Sequence, residues 1–384
     1  MRFEIATPAR IVFGAGALRD AGGAASEFGR HAFVVTGHDA RRAAPLLELL
    51  AAARVATTVQ AVPGEPTVDA VVAATAQARA AGCDCVIGLG GGSVLDAAKA
   101  VAVLLANPGD VLDYLEVIGK GRPLSRPGVP CIAIPTTAGT GAEVTRNAVL
   151  ASPAHQLKVS LRSPFLLPRL ALVDPALTRG LPAPLTAATG LDALTQLIEP
   201  YVSARANPFA DGLCAEGLRR VARALRPAFR DGANDAARHD MALASLFGGL
   251  ALANAGLGAV HGLAAPIGGR FPAPHGAVCA ALLPAVMEVN LRAARARTPD
   301  AGTAGRYTEV ARLLTGDPAA TADAGVLWVR TLVADLRIPG LRAYGLERDH
   351  FAALAAQAAA SSSMKANPLA LTPEELAEIL DQAL

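Results

Sequence analysis

Aromatic residues, net charge and cysteine are all scarce in this sequence. Aromatic residues make up 4% of the 384 positions, although 52% of the residues are hydrophobic and alanine fills stretches such as FAALAAQAAA. Such a composition favours closely packed helices. The 35 Lys and Arg residues nearly balance the 33 Asp and Glu residues, which leaves a formal charge of +2 and no basic block. We therefore expect no nucleic-acid partner.

Long apolar runs and a signal peptide are also missing. No uninterrupted apolar run approaches the roughly 18 residues that a membrane-spanning helix needs. The first residues alternate like a strand and lack the basic segment, apolar run and cleavage site of a leader. The five cysteines form an odd set, and Cys83 and Cys85 are too close for a CxxC motif. We expect a cytoplasmic protein with no membrane partner.

Short apolar segments alternate with longer amphipathic segments from about residue 30 to residue 175, as in HAFVVTG, CVIGLGGG and LALVDP. This alternation predicts βα units and a mostly parallel sheet. After Pro182 the strand-like segments stop, and a 3.6-residue spacing of apolar residues takes over. The predicted class is α/β plus all-α. An N-terminal Rossmann-like, parallel-sheet nucleotide-binding domain spans residues 1–180, and a C-terminal helical domain spans residues 181–384.

A glycine-rich loop follows one predicted strand in CVIGLGGGSVLDAAKA. Gly91 and Gly92 let backbone N–H groups approach a pyrophosphate, and a helix opens at Ser93 with Asp96 one turn later. The positive end of that helix would also attract a phosphate. The alternative is a turn that serves only strand-to-helix packing, and the spacing differs from GxGxxG.

A threonine-rich loop follows the next predicted strand, in CIAIPTTAGTGAEVTRN. Hydroxyl and amide groups here can bind phosphate or ribose oxygens. They are carried by Thr136, Thr137, Gly139, Thr140, Gly141 and Thr145. The alternative is a run of helix-capping residues. Lys158 would add a positive charge near a nucleotide, although an isolated lysine is usually a solvated surface residue.

Candidate metal ligands lie in the second half of the chain. Asp192 and Gln196 are four residues apart on one predicted helical face, and Glu199 follows on the same side. His261 and His275 flank a stretch rich in Gly, Ala and Pro that can bring two imidazoles together. A carboxylate and two imidazoles suit divalent Fe or Zn, and the amide oxygen of Gln196 would add a weak ligand. Alternatively, each histidine is structural and Asp192 caps a helix.

These segments, in this order, closely resemble the iron-containing (group III) alcohol dehydrogenase family. The most specific are GGGSVLDAAKA, PTTAGTGAEVT, ATGLDALTQLIEPYVS and GLGAVHGLAAPIGGRFPAPHG, and the likeness runs from IVFGAGAL to NPLALTPEELAEIL. The resemblance implies NAD or NADP contacts at Gly91, Gly92, Ser93, Asp96, Thr136, Thr137, Thr140 and Lys158. It also implies a Fe or Zn site at Asp192, Gln196, His261 and His275, which makes the C-terminal domain metal-binding. Asp192, His261 and His275 would be catalytic through that metal, in the cleft between the two domains.

Three positions depart from the family pattern. Gln196 stands where metal-dependent members usually have His, so metal affinity should fall. Ala265 stands where many members have a His that relays a proton, so delivery would fall to metal-bound water or the ribose hydroxyl. Gly37, also a candidate cofactor contact, stands where NAD-preferring members carry Asp. Its lack of a carboxylate permits NADP, although Asp39 lies only two residues away.

The predicted function is NAD(P)-dependent hydride transfer between nicotinamide and a small alcohol or carbonyl compound. The Gln196 and Ala265 changes keep open a metal-independent reductase that resembles maleylacetate reductase. A dehydroquinate synthase-like lyase and a non-catalytic metabolite-binding relative fit the motifs less well. The alanine-rich helical surface is compatible with a homodimer.

Overall fold

The computed structural model describes residues 2–155 and 157–384, which form two compact units. The sheet unit contains the described parts of 6–137 and 141–178. The helical unit contains residues 2–5, 138–140 and 179–384. The chain enters the helical unit at Arg179, close to the start predicted at residue 181. The sequence gives no sign that residues 138–140 group with the helical unit.

Parallel strands form the centre of the sheet unit. The strands are β1 (Arg10–Phe13), β2 (His31–Thr36), β3 (Ala56–Ala61), β4 (Cys85–Gly90), β5 (Cys131–Pro135), β6 (Asn147–Ser152), β7 (Leu157–Arg162) and β8 (Leu170–Val173). The main sheet has the order β1-β8-β5-β4-β2-β3, and every neighbouring pair in it is parallel. All six residues of β4 are buried, as expected of an apolar strand covered on both faces. The predicted parallel sheet is confirmed.

Helices cover both faces of this sheet. They are α1 (Ala21–Phe28), α2 (Ala44–Ala52), α3 (Val68–Ala80) and α4 (Gly92–Ala106). Successive residues of a strand point to opposite faces. Phe33 and Val35 accordingly belong to the core with α3 and α4, whereas Val34 belongs to the core with α1 and α2. The apolar segments of the first half therefore read as continuous runs rather than alternating ones.

Two local features of the sheet unit differ from the prediction. The alternating start of the chain forms a strand only from Arg10, after Pro8, which has no N–H group to give to a ladder. The structure also contains an antiparallel hairpin, in which β6 pairs with β7 and Asn147 lies opposite Arg162. Burial alternates along β6, which is typical of a strand with one covered face.

The helical unit contains no strand among its described residues, as predicted. Its helices are α5 (Ala183–Val202), α6 (Pro208–Arg230), α7 (Asp235–Ala255), α8 (Ala259–Arg270), α9 (His275–Arg297), α10 (Thr303–Thr315), α11 (Ala322–Asp335), α12 (Phe351–Ala360) and α13 (Pro373–Gln382). They share one apolar core. By length and composition α9 resembles a membrane span, but 83% of its most apolar window is buried, as in the core helix of a soluble protein.

Candidate functional site

Helix α5 supplies the acidic end of the candidate metal site. Asp192, Gln196 and Glu199 all lie on it and are at most 4% exposed. The helix begins at Ala183, so Asp192 lies well inside it and the alternative that Asp192 caps a helix is wrong. Because the helix is buried nearly all around, it carries these polar groups into the interior of the unit.

Two further helices bring imidazoles to Asp192. His261 lies in the first turn of α8, and His275 is the first residue of α9. Gly276 permits this approach, because a Cβ at that position would lie 2.4 Å from the backbone oxygen of Ala188 on α5. The start of α9 therefore packs directly against the backbone of α5.

Four potential ligand atoms converge within 4.8 Å of one another, from Asp192, His261, His275 and Cys279. Oδ1 of Asp192 lies 3.4 Å from Nε2 of His261 and 3.9 Å from Nε2 of His275. Sγ of Cys279 lies 3.6 Å from Nε2 of His275 and 3.9 Å from Nε2 of His261. The His275 side chain is 34% exposed, so this cluster is open on one side.

The charges in the cluster reinforce one another. Burial alone would raise the pKa of Asp192, but His261, His275 and the amide of Gln196 outweigh it and lower that pKa. Burial would likewise raise the pKa of the Cys279 thiol, yet His275 and His261 lower it. Cys279 in turn raises the pKa of His275, and burial only partly offsets this effect. The arrangement thus favours anionic oxygen and sulfur donors beside the imidazoles.

The donor set fits a divalent metal ion. Oδ1 of Asp192 and Oε1 of Gln196 are buried and accept no hydrogen bond from any described residue. A buried oxygen without a partner is costly, and an ion removes that cost. Carboxylate, imidazole and thiolate groups are all ligands of zinc and of related transition metals. The sequence-predicted Asp192, His261 and His275 are brought together, and Gln196 lies one helical turn from Asp192.

Glu199 orients His261 toward the cluster. Its Oε2 lies 2.6 Å from Nδ1 of His261, and its Oε1 accepts a hydrogen bond of 2.8 Å from the backbone N–H of Val260. A proton on Nδ1 that is donated to Glu199 leaves the Nε2 lone pair of His261 available to a metal ion. Asn367 fixes the start of the same helix, because its Oδ1 accepts from the N–H of Ala259.

Cys279 is the member of the cluster that the sequence reasoning missed. It is four residues after His275, and both lie on α9, so the pair shares one helical face. That spacing was the available signal. It was weak, because a single buried cysteine is ordinarily a small apolar core residue.

A cavity of about 520 Å³ opens at the carboxyl ends of β2 and β4. From these two strands the chain continues in opposite directions across the sheet, to β3 on one side and to β5 on the other. Such a switch point is the usual nucleotide crevice of a parallel sheet. The cavity is lined by Thr36, Gly37, His38, Asp39, Arg41, Arg42, Ala43, Leu89, Gly90, Gly91 and Thr136. Of the predicted cofactor contacts, Gly37, Gly91 and Thr136 line it.

The glycines of the loop after β4 divide into two groups. Gly88 and Gly90 are required by packing, because a Cβ would lie 2.8 Å from Ala98 and 2.5 Å from Val94, respectively. Gly91 has ordinary room, with the nearest atom of Thr137 at 3.4 Å. The packing alternative therefore accounts for the first two glycines and leaves Gly91, at the start of α4, accessible to a ligand.

Asp96 and Lys158 have partners within the sheet unit. Oδ2 of Asp96 accepts from the N–H of Val149, and Oδ1 lies 2.9 Å from Nζ of the buried Lys99. Burial nevertheless raises the pKa of Asp96. Nζ of Lys158 lies 3.0 Å from Oε1 of Glu65. Asp96 thus ties α4 to the hairpin, a role that the sequence did not predict.

Glu143, in the threonine-rich loop, is a buried acid of the sheet unit. It is 2% exposed, and burial raises the pKa of its carboxyl group to about 7. Lys99 only partly offsets this effect. Gly139 and Thr140, which precede Glu143 in the same loop, group with the helical unit.

The fold and the two sites define a class of protein: a dinucleotide-binding parallel sheet joined in one chain to a helical unit with a buried metal-ligand cluster. Comparison with known families agrees. The model of the iron-containing alcohol dehydrogenases matches residues 8–175, and that of the C-terminal part of the Fe-containing alcohol dehydrogenase family matches residues 186–384. The chain belongs to the iron-containing alcohol dehydrogenase family and is an oxidoreductase that acts on CH–OH groups.

Individual relatives support this assignment over the whole chain. The probable alcohol dehydrogenase EutG of Salmonella typhimurium is 38% identical over 378 residues, which cover 97% of this chain and 92% of the relative. A crystal structure of 1,3-propanediol oxidoreductase has a TM-score of 0.93 at 33% identity and covers 100% of both chains. The sulfoacetaldehyde reductase of Bifidobacterium kashiwanohense, solved with NAD+, has a TM-score of 0.87 at 28% identity over 100% of this chain and 99% of that chain.

Proposed function

We propose that this protein interconverts a primary alcohol and its aldehyde, with hydride passing to or from NADP. The observation that carries the proposal is the convergence of Asp192, His261 and His275, in a chain whose sheet unit has a cavity of about 520 Å³ at its switch point. The names of the relatives support the substrate class, because 1,3-propanediol and sulfoacetaldehyde both carry the reacting group at a chain end.

The helical unit supplies the electrophilic half of the reaction. Asp192, His261 and His275 would hold a divalent metal ion, which would supply Lewis-acid polarisation of the substrate oxygen. Glu199 keeps Nε2 of His261 directed at the cluster. The partial exposure of His275 gives the substrate access from one side.

The sheet unit supplies the cofactor half. The N–H groups at Gly91, Gly92 and Ser93 begin helix α4 and are suited to a pyrophosphate. The remaining nucleotide contacts are proposed at Gly37, Asp96, Thr136, Thr137, Thr140 and Lys158. Asp96 acts mainly by positioning, because both of its oxygens already have protein partners.

The lining of the cavity favours NADP over NAD. Gly37 has no atom within 4 Å of the place a Cβ would occupy, so there is room beside it and no carboxylate. Asp39 does not replace that carboxylate, since its Oδ1 accepts from both the backbone N–H and Nε of Arg41. The charges of Asp39 and Arg41 offset each other, so Arg42 leaves this end of the cavity with a net positive charge, which suits a 2′-phosphate.

The cellular location of the protein is proposed from its cysteines, and its assembly is predicted from its composition. Free cysteines at all five positions fit a reducing cytoplasm, which we propose as the site of action. The homodimer, and the expectation that nucleic acid and membranes are not partners, stay predictions from the sequence.

The test is an assay of purified protein with NADP+ and with NAD+ against ethanol, 1,3-propanediol and longer primary alcohols, and of the reverse reaction with the aldehydes. Wild type is compared with His275→Ala and with His239→Ala, a control on α7 outside the cluster. We expect NADP-linked turnover that His275→Ala abolishes and His239→Ala retains. Full activity of His275→Ala would favour the metal-independent reductase, and no lasting change in NADPH absorbance with any substrate would contradict a dehydrogenase.

A further inference from the structure

The metal cluster contains a sulfur donor that the family pattern does not lead one to expect. Gln196 stands where metal-dependent members usually have a histidine, which leaves the site one strong ligand short. Cys279 comes from a different helix and is fully buried beside the two imidazoles. It is the only cysteine found in the cluster among the described residues.

Two of the distances between the donor atoms match those of a single four-coordinate ion, and two more are close to them. At zinc bond lengths of about 2.0–2.3 Å, a tetrahedron places neighbouring donors roughly 3.3–3.6 Å apart. Two of the pairs, His261 with Asp192 at 3.4 Å and Cys279 with His275 at 3.6 Å, have this spacing. The pairs His275 with Asp192 and Cys279 with His261 are both 3.9 Å apart, and all four donor atoms lie within 4.8 Å of one another. A bound ion would draw these donors closer together.

A core cysteine with no ligand role would have apolar atoms around its sulfur. Here Sγ of Cys279 meets Nε2 of both histidines, and each of these nitrogens also faces Oδ1 of Asp192. That oxygen is buried without a hydrogen-bond partner among the described residues. This unpartnered oxygen of Asp192 is an observation independent of the cysteine, and it points to a cation at the same place.

We propose that Cys279 is the fourth protein ligand of the metal and takes the place of the missing histidine, so that the centre is an Asp-His-His-Cys site that selects zinc over iron. The substrate oxygen would then be a fifth ligand, since catalytic zinc can expand to five-coordinate. The thiol proton leaves to solvent as the bond between sulfur and metal forms. Thiolate is a soft ligand that zinc accepts in tetrahedral sites. In addition, divalent iron binds more weakly than zinc in the general affinity order of divalent metals. This inference deepens the proposed function and rests on it only for the location of the metal.

The test uses metal-free full-length protein reconstituted with Co(II), whose charge-transfer absorption in the near ultraviolet reports a bound thiolate independently of activity. Zinc affinity is measured in parallel by competition with a chromophoric chelator. The variants are Cys279→Ser, which replaces sulfur with a hydroxyl group, and Cys214→Ala, a control at a fully buried cysteine of α6 in the same unit.

We expect the sulfur-to-cobalt band in wild type and in Cys214→Ala, and its loss in Cys279→Ser. Removal of a group that only hydrogen-bonds to a metal ligand already costs about 10- to 100-fold in metal affinity, so loss of a direct ligand should weaken zinc binding by about 100-fold or more. Tight Co(II) binding without the band, unchanged by Cys279→Ser, would overturn the ligand role while leaving the metal-dependent function intact. Failure of wild type to bind Co(II) or zinc at all would overturn both.

Discussion

Glu199→Gln tests how the protein controls the His261 ligand. Both groups that face the Glu199 carboxylate are N–H donors, the backbone of Val260 at 2.8 Å and Nδ1 of His261 at 2.6 Å. A glutamine offers one oxygen and one NH2 group, so it can accept from only one of them. If the NH2 group faces His261, the imidazole must move its proton to Nε2, and the lone pair that would bind a metal is lost.

The size of this effect follows from the burial of the pair. Glu199 is 4% and His261 7% exposed, so water cannot substitute for the lost acceptor. We expect zinc affinity to fall about 10- to 100-fold, which is the usual cost of removing such a partner and corresponds to about 1.4–2.7 kcal/mol. NADP-linked activity at limiting zinc should fall in parallel, and excess zinc should restore part of it.

The assay is zinc competition followed by activity as a function of added zinc. Glu309→Gln is the matched control, because its carboxylate accepts a hydrogen bond of 2.7 Å from the Tyr201 hydroxyl in the same unit but lies outside the cluster. The control should bind zinc like wild type. Wild-type zinc affinity in Glu199→Gln would refute the proposed control of the His261 tautomer.

Three further variants test separate parts of the structure. The pKa of Glu143 in the folded protein, about 7, lies above its ordinary value of 4.5. The folded state therefore loses stability as the pH rises from 4.5 to 7, by about 3 kcal/mol at about 1.36 kcal/mol per pKa unit. Glu143→Gln should therefore raise the free energy of unfolding in urea by about that amount at pH 8 and change it little at pH 4; an equal effect at both pH values would contradict the assignment. Gly37→Asp should lower kcat/KM for NADP by about 10- to 100-fold while sparing NAD, because a carboxylate repels the 2′-phosphate, and an unchanged cofactor ratio would argue against the NADP preference. Gln196→His combined with Cys279→Ala should bring zinc affinity to within about tenfold of wild type without the sulfur-to-cobalt band, whereas no recovery relative to Cys279→Ala alone would show that position 196 does not reach the metal.

The overall fold was accessible from the sequence because its signals are local. Buried parallel strands read as apolar runs such as β4, and the helices after Pro182 show a 3.6-residue period. The hairpin of β6 and β7 was missed because its strands alternate buried and partly exposed residues, so they carry no continuous apolar run. The grouping of residues 138–140 depends on contacts distant in sequence, such as the approach of Gly139 to Thr189.

The candidate site could be predicted only in part, because its residues are brought together by contacts distant in sequence. The face shared by Asp192 and Gln196 is a local helical property, and the stretch between His261 and His275 indicated that the two imidazoles can meet. Only the family resemblance placed them beside Asp192. Only its four-residue spacing from His275 distinguishes Cys279 locally from a core cysteine, and the contact of the start of α9 with α5 at Gly276 is not visible in the sequence. The partners of Asp96 were equally hidden, since Val149 is 53 residues away in the chain.

The most direct test of a metal-dependent dehydrogenase is the metal content of protein purified without chelator, measured together with NADPH-linked aldehyde reduction before and after chelation. We expect about one zinc ion per chain, since the structure offers one such cluster among its described residues. Activity should disappear on chelation and return with zinc. Full activity in demonstrably metal-free protein would contradict the role assigned to Asp192, His261 and His275.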